Sequence, residues 1–473
     1  MKSFTIQKSD IGIECRFEAS FYLYSVVIRQ KCLERNISFD QLGNMCECIS
    51  DGEHSAIPRT KVAGVRYLYG RNIKDGIVDF DPETDSSYIS EANYKRFTRI
   101  YVKEGDLLIT IVGTVGKVAV YAKSYIGEAG IPRHIAKIRL KPDSWATPEF
   151  LTAYFLSRLG KHQICNITTG NIQPLLSLSN IKTLDIPRIE KQIVDIITTQ
   201  MKKMVELEAE ALRLINLAKQ TFYERLGLNF DSIERPKTYT ISSAEFKNAE
   251  IWNTTYSLPL YVNTQIAIKG ICRTVSLGEV VRIDKGDEVG SENYNVYLEK
   301  HDTDIPFIRT SDIVNFEVDQ YPDFYVPVEI YNEIGQDVKA GDVIFSKDGK
   351  IGQVSLITDF DKAIIASGFS ILRLNNKAYE YGLTPEYLFT VLAIREIGIF
   401  ESKRRTVVAS TIPHLREDRM KEMQIPILDK TSIDEITNLV REAFILKAER
   451  KRLVADVRKT IDSYFDIECS SKN

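Results

Sequence analysis

One stretch is written twice in this chain, and the copies lie half a chain apart. Glu104–Tyr121 reads EGDLLITIVGTVGKVAVY, and Ala340–Ile357 reads AGDVIFSKDGKIGQVSLI. Gly105, Asp106, Gly113 and Gly116 align with Gly341, Asp342, Gly349 and Gly352, each pair 236 positions apart in 473 residues. A repeat of that period means one folded unit occurring twice. Other marks keep the order. Arg16–Leu23 answers Ile251–Leu258, and Leu42-Gly43 answers Leu277-Gly278. Val65–Ile73 answers Ile305–Ile313, Thr147-Pro148 answers Thr384-Pro385, and Ile186-Pro187 answers Ile425-Pro426. The offset drifts only between 235 and 240, as small loop insertions would make it.

Each unit reads as a mixed α/β module. Val65–Leu68, Asp106–Val112, Lys117–Tyr121, Val343–Ser346 and Gln353–Ile357 are short β-rich runs bounded by Gly or Asp. Thr147 and Thr384 suit helix N-caps, with Pro148 and Pro385 in the first turn, where a missing N–H costs nothing. The helices after them are expected over about 148–159 and 385–398, amphipathic, with Phe150, Tyr154, Phe155, Tyr387 and Phe389 among their members.

A long helix closes each unit. The first runs from about Ile189 to Leu226 and stops at Gly227; the second runs from about Thr431 to Phe465. Val194, Ile197, Met201, Met204, Ala211, Ile215, Ala218 and Phe222 keep a 3–4 spacing. So do Ile433, Ile436, Val440, Ala443, Val454, Val457, Ile461 and Tyr464, the signature of a coiled coil. Helices of this length span roughly 50–57 Å. Glu208 interrupts the first seam, and Lys447 and Arg450 interrupt the second. In an antiparallel pair the acid faces the bases and sets register; the alternative is that these side chains snorkel to solvent at the seam's edge. The chain is therefore expected to be α+β: two tandem, similar α/β units joined by two long helices in an antiparallel coiled coil, with pseudo-twofold symmetry.

The residues make no case for a catalyst. Gly113-Thr-Val-Gly116-Lys117 lacks the spacing of a phosphate loop, and its second copy carries Gln353 in place of the lysine, so both read as hairpin turns. The five histidines form no HExxH and no two-His pair, and neither a GxSxG elbow nor a GxGxxG loop occurs. Cys46-x-Cys48 stands without metal-ligating company, and the seven cysteines have no framework spacing, as in a reducing cytoplasm. No apolar run approaches a membrane span, and the polar N-terminus reads as that of an unexported protein. A net charge of −3 and a pI near 6.1 weigh mildly against nucleic acid, although only a binding face has to be basic.

Polar residues instead gather at matching turns of the two copies. The first copy offers His54, Arg71 and Asn72, Thr114 and Lys117, Arg133 and His134, and Asn171 and Gln173. The second offers Arg309, Thr310 and Ser311, Lys347 and Lys350, Arg404 and Arg405, and Ser410 and Thr411. Arg and Lys suit guanine edges and phosphates, Asn and Gln suit adenine, and Ser and Thr suit either. Taken singly, each cluster is also what an ordinary polar loop contains.

The whole arrangement resembles the DNA specificity subunit of type I restriction–modification systems. The resemblance rests on Leu42-Gly43, Asp51-Gly52-Glu53-His54, Gly64–Leu68 with Asn72-Ile73, and Gly105–Thr110 with Gly113–Val118. Thr147–Leu151, Gly170–Gln173, and Ile186-Pro187 before Glu190-Lys191-Gln192 extend it, and the second half repeats most of these marks. Two departures stand out: the second half has no evident match for Asp51-Gly-x-His54, and Leu428-Asp429-Lys430 replaces the Glu-Lys-Gln run. The resemblance implies target-recognition domains at 1–187 and 231–427 and spacer helices at 188–230 and 428–473. It implies a non-catalytic, cytoplasmic protein that reads a bipartite double-stranded DNA target and holds no cofactor. Its partners would be two methyltransferase subunits and restriction–translocase subunits, which hold S-adenosylmethionine, magnesium and ATP. Competing readings are a two-lobed transferase or nuclease with its site between the copies, a scaffold that binds only protein, and the specificity protein of a related phage-defence or modification-only system.

Overall fold

The structure, a computed structural model, describes residues 29–60, 64–79, 88–170, 174–236, 238–248, 251–290, 293, 304–408 and 412–465. Of the sequence marks, Arg16–Leu23 lies outside these. The chain forms two compact units, residues 1–209 with 449–473 and residues 210–448, so each unit owns a stretch of both long helices. Among the described residues no helix is long and apolar enough to cross a membrane.

In the first unit the sequence order is β1 (Phe39–Gln41), β2 (Cys46–Asp51), β3 (Val65–Tyr67), β4 (Leu107–Thr110), β5 (Val118–Val120), β6 (Ala129–Gly130), β7 (Ile135–Leu140), α1 (Pro148–Leu156), α2 (Arg158–Ile167) and β8 (Asp185–Pro187). The long helix α3 (Lys191–Leu226) follows. A four-stranded antiparallel sheet runs β2-β7-β4-β5, β3 pairs parallel with β6, and β1 pairs with β8. The second unit repeats the plan with β9 (Arg273–Ser276), β10 (Val281–Lys285), β11 (Ile305–Ile308), β12 (Ile313–Val314), β13 (Glu317–Val318), β14 (Val343–Ser346), β15 (Val354–Leu356), β16 (Ile364–Ile365), β17 (Phe369–Leu374), α4 (Pro385–Ala393) and β18 (Gln424–Ile427). The helix α5 (Lys430–Tyr464) closes the chain. Its sheet runs β10-β17-β14-β15, β11 pairs parallel with β16, and β9 pairs with β18. The twice-written stretch is the β4–β5 hairpin and the β14–β15 hairpin, in the same register, Leu107 opposite Val120 and Val343 opposite Leu356.

The repeated Gly-Asp has a physical cause in both units. Gly105 and Gly341 take φ of +80° and +90°, a turn that side chains resist. The carboxylate that follows is buried, with Asp106 and Asp342 each 1% exposed. It accepts the backbone N–H of Lys103 or Lys339 at 2.8 Å. It also receives a two-pronged arginine from the neighbouring strand: Arg139 at 2.7 Å by both nitrogens, and Arg373 at 2.7 and 2.6 Å. Turn, central strand and adjacent strand are thereby locked together.

The helices after Thr147 and Thr384 depart from the amphipathic expectation: Phe150–Leu156 and Tyr387–Ala393 are wholly buried. Both also end early, at Ser157 and Ile394, because a glycine farther on presses against their last turns. A Cβ on Gly160 would lie 2.1 Å from the Tyr154 carbonyl oxygen, and one on Gly398 would lie 1.8 Å from that of Leu392. Each capping threonine meets a threonine of a long helix at 2.7 Å, Thr147 with Thr198 and Thr384 with Thr437.

The two long helices form the expected antiparallel coiled coil. In the first unit Tyr464 donates to Glu190 and Lys203 pairs with Glu449; in the second, Arg225 pairs with Glu435. The apolar seam residues are buried, Tyr464 only in part. The polar interruptions divide between the units. Glu208, fully buried, faces Arg450 at 3.1 Å. Lys447 instead reaches Glu317, at the start of β13, at 3.5 Å, with both buried.

Removing one member of a buried ion pair strands the other, at a cost of about 3–5 kcal/mol, whereas replacing both with apolar residues is often neutral. Glu208→Ala should therefore lower unfolding free energy by about that much. The Glu208→Leu/Arg450→Leu double variant should recover most of the loss in the same denaturant titration.

Candidate nucleic-acid interface

Four loops meet at one end of each unit's sheet, and equivalent bonds shape them in both units. The first is the β4–β5 turn, with Gly113 and Gly116 at φ of +78° and +84°; in the second unit Gly349 and Gly352 take +65° and +93°. The second glycine is needed for space as well. A Cβ on Gly116 would lie 2.8 Å from Ile164, and one on Gly352 would lie 2.4 Å from Ile399. Thr110 Oγ accepts the Lys117 N–H at 3.0 Å, and Ser346 Oγ accepts that of Gln353 at 2.8 Å. These are closed hairpin turns that lack the spacing of a phosphate loop.

The second loop is a capped turn, where Asn72 Oδ1 accepts the Tyr69 N–H at 2.7 Å and Asp312 Oδ2 accepts that of Arg309 at 2.9 Å. The third holds the His134 carbonyl, which accepts the Ile111 N–H at 2.9 Å; Gly368 does the same for Lys347 at 2.8 Å. The fourth joins through Pro174, whose carbonyl accepts the Gly113 N–H at 3.2 Å, as Pro413 does for Gly349 at 3.1 Å. Beside these, Gly52 lies against the Ile131 carbonyl, and a Cβ there would lie 1.9 Å from it. The second unit does have a counterpart that the sequence hid. Gly286 lies against the Ala366 carbonyl at 2.1 Å by the same measure, so Lys285-Gly286-Asp287-Glu288 stands where Asp51-Gly52-Glu53-His54 does.

The candidate residues fall into two groups. His54, Arg71, Thr114 and Arg133 are exposed at the first tip, with His134 half-buried beside them. His54 pairs with buried Asp51 at 2.7 Å, and the Arg71 guanidinium stacks 4.4 Å from the Tyr69 ring. Burial, then Arg133 and Arg59, push the His134 imidazole below its usual range. At the second tip Ser311 is exposed, and Thr310 and Lys350 are half-buried. Arg309 lies over Phe324 at 3.8 Å and is held by Asp312 and Asp323.

The other group turns inward. Asn72 caps its turn, Lys347 is buried, and Arg405 is buried on Glu401 at 2.8 Å. Arg404 donates to the Tyr256 carbonyl at 2.9 Å from the helix Phe400–Arg405, so these two arginines, expected at a turn, belong to a helix. Asn171, Gln173, Ser410 and Thr411 lie outside the described residues. The sequence reading missed Arg59, which stacks on Tyr67 at 4.6 Å and Tyr69 at 3.9 Å, because it sits in a two-residue strand beyond any repeated mark.

Lys117 also points inward, toward a charge cluster that the sequence did not disclose. Its ammonium is 3.6 Å from the Asp75 carboxylate, and Lys161 bonds the same carboxylate at 2.5 Å. Asp75 sits on the 73–78 turn, and a Cβ on the adjoining Gly76 would lie 3.5 Å from Met204 of α3. The cluster thus helps to seat the first unit's sheet on its stretch of long helix.

Each α/β unit thus carries a polar four-loop tip and is built on its own stretch of both long helices. A family model, described as type I restriction modification DNA specificity domain, matches residues 42–217 and again 272–436. The chain belongs to that family, a DNA-recognition family, with two specificity domains in tandem. Similar solved structures include a type I restriction–modification S subunit from M. genitalium, 13% identical, covering 91% of this chain and 94% of that one at a TM-score of 0.34. The HsdS subunit from Thermoanaerobacter tengcongensis is 15% identical, with 91% and 95% coverage and a TM-score of 0.28. A structure described as the basis of complex assembly and conformational transition of the type I R-M system is 15% identical, with 91% and 96% coverage and a TM-score of 0.27. No curated protein matches the sequence.

Burial alone would raise the Asp75 carboxyl, but Lys117 and Lys161 outweigh it and hold the group well below the usual carboxylate range. A depressed carboxyl stabilises the fold above its unfolded value near 4, and that stability is lost as pH falls toward the folded value. Asp75→Asn should therefore cost roughly 2–3 kcal/mol at pH 7, and its stability should fall less steeply than the wild type's between about pH 4 and pH 2 in acid titrations followed by circular dichroism.

Proposed function

We propose that this chain is the non-catalytic reading subunit of a cytoplasmic type I complex, with each unit's tip reading one half of a split DNA target. The observation that carries this is the tip built twice on the same backbone bonds with different side chains at its surface, as two readers of different sequences require. The exposed candidates His54, Arg71, Thr114, Arg133 and Ser311, together with Thr310 and Lys350, are the proposed DNA contacts; Asn72, Lys347 and Arg405 support the turns around them. The target-recognition domains are residues 1–187 and 231–427, and the spacer helices lie in 188–230 and 428–473. Two methyltransferase subunits and restriction–translocase subunits supply the chemistry, with their S-adenosylmethionine, magnesium and ATP.

A spacer helix pair makes a geometric prediction. A heptad removed from each long helix, at facing positions, shortens the pair by about 10 Å, since each residue rises about 1.5 Å. At about 3.4 Å per base pair, the unread segment between the half-sites should shrink by about three base pairs, with both half-sites unchanged. Sequencing the sites methylated by the assembled complex measures this. An unchanged spacing would contradict the ruler role, and a chain that turns over DNA without partners would contradict the non-catalytic one.

A further inference from the structure

The two tips share a frame and differ in charge, and the difference falls at positions that the frame makes equivalent. Arg71 precedes the turn-capping Asn72, and Ser311 precedes the turn-capping Asp312. Arg133 precedes the His134 carbonyl that anchors Ile111, and Ser367 precedes the Gly368 carbonyl that anchors Lys347. His54 and Glu288 each stand two residues past the glycine pressed against the third loop. Two arginines and a histidine in the first unit thus become two serines and a glutamate in the second.

The surroundings widen the contrast. Arg59 and Arg71 both stack on Tyr69, at 3.9 and 4.4 Å, so the first tip presents cations braced by an aromatic ring. At the second tip Ser367 donates to Glu288, and Asp348 takes the His414 imidazole. Arg309 is engaged by Asp312 at 3.3 Å, Asp323 at 3.8 Å and the Phe324 ring. An arginine fork fits the two acceptors of guanine, a carboxylate accepts from the cytosine amino group, and a hydroxyl reads either.

Resting on the reading that these tips meet DNA, we infer that the first unit selects a guanine-bearing half-site, with Arg71 and Arg133 as its specificity-determining residues, while the second unit reads through hydroxyls and the Glu288 carboxylate. The two half-sites are then chemically unlike, and the first unit's preference is the one that arginine replacement relaxes.

The test uses the full chain assembled with its methyltransferase subunits and a library of randomised DNA. The wild type is compared with Arg71→Ser and Arg133→Ser, which install the second unit's residues. Each variant is expected to lose about 5- to 150-fold discrimination at a G·C pair of one half-site. Reading of the other half-site should stay intact, which also shows that the variant is folded. A split wild-type motif that neither variant alters overturns the inference, as does relaxation confined to A·T pairs or binding that weakens equally on all sequences. A wild-type complex that selects no split motif at all overturns the DNA-reader proposal itself, an outcome distinct from these.

Discussion

A carboxylate buried beneath a tight glycine turn holds each recognition unit in shape. Asp106 and Asp342 tie their own turns by a backbone N–H and tie the adjacent strand by a forked arginine. The central strand between is short and wholly buried, and it leads within a few residues to the hairpin turn at the tip. Fixing one end of this strand therefore aims the other. The third and fourth loops hang on that aimed turn through backbone bonds, and the second is closed by its own capping side chain. The exposed side chains beside these caps are thus relieved of structural duty, which lets one unit carry arginines where the other carries serines without disturbing the frame.

The same division between fixed frame and variable chemistry holds where each sheet meets its helices. The 73–78 turn of the first unit and the β12–β13 hairpin of the second occupy corresponding places. The first has Gly76 at φ of +93° against Met204, with Asp75 drawn toward two lysines. The second has Phe316 at φ of +70°, an unfavourable backbone for a large side chain. Its ring packs edge-on against Phe389 at 5.9 Å and lies 5.6 Å from the Lys219 ammonium, contacts that offset the strain. Glu317 beside it meets Lys447 of the long helix. Seating of sheet on helix is achieved by a buried ionic cluster in one unit and by an aromatic wedge with an ion pair in the other.

What could be read from the sequence was whatever depends on backbone. Glycines at positive φ, capping threonines and the 3–4 seams repeat because each marks a conformation that few residues satisfy. The second unit's Gly286 escaped notice because only the close approach to a carbonyl is shared, and the residues around it differ. Side-chain direction was not legible. Asn72, Lys347 and Arg405 look in sequence like any polar loop residue, yet capping, burial and an ion pair turn them inward. Asp75 gave no sign at all, since its partners Lys117 and Lys161 are distant in the chain. Glu208 and Lys447 were legible as breaks in a seam, but the choice of Arg450 for one and Glu317 for the other depended on what a sheet hairpin brings to the helix.

The most direct measurement places a photo-crosslinking residue at position 71 in one preparation and at position 311 in another, each in the complex assembled on its own methylated target. These positions occupy the same turn in the two units. The account predicts crosslinks in two separate tracts of the duplex, one per preparation, divided by base pairs that neither position reaches. Crosslinks from both positions within a single tract, or none from either, would contradict it.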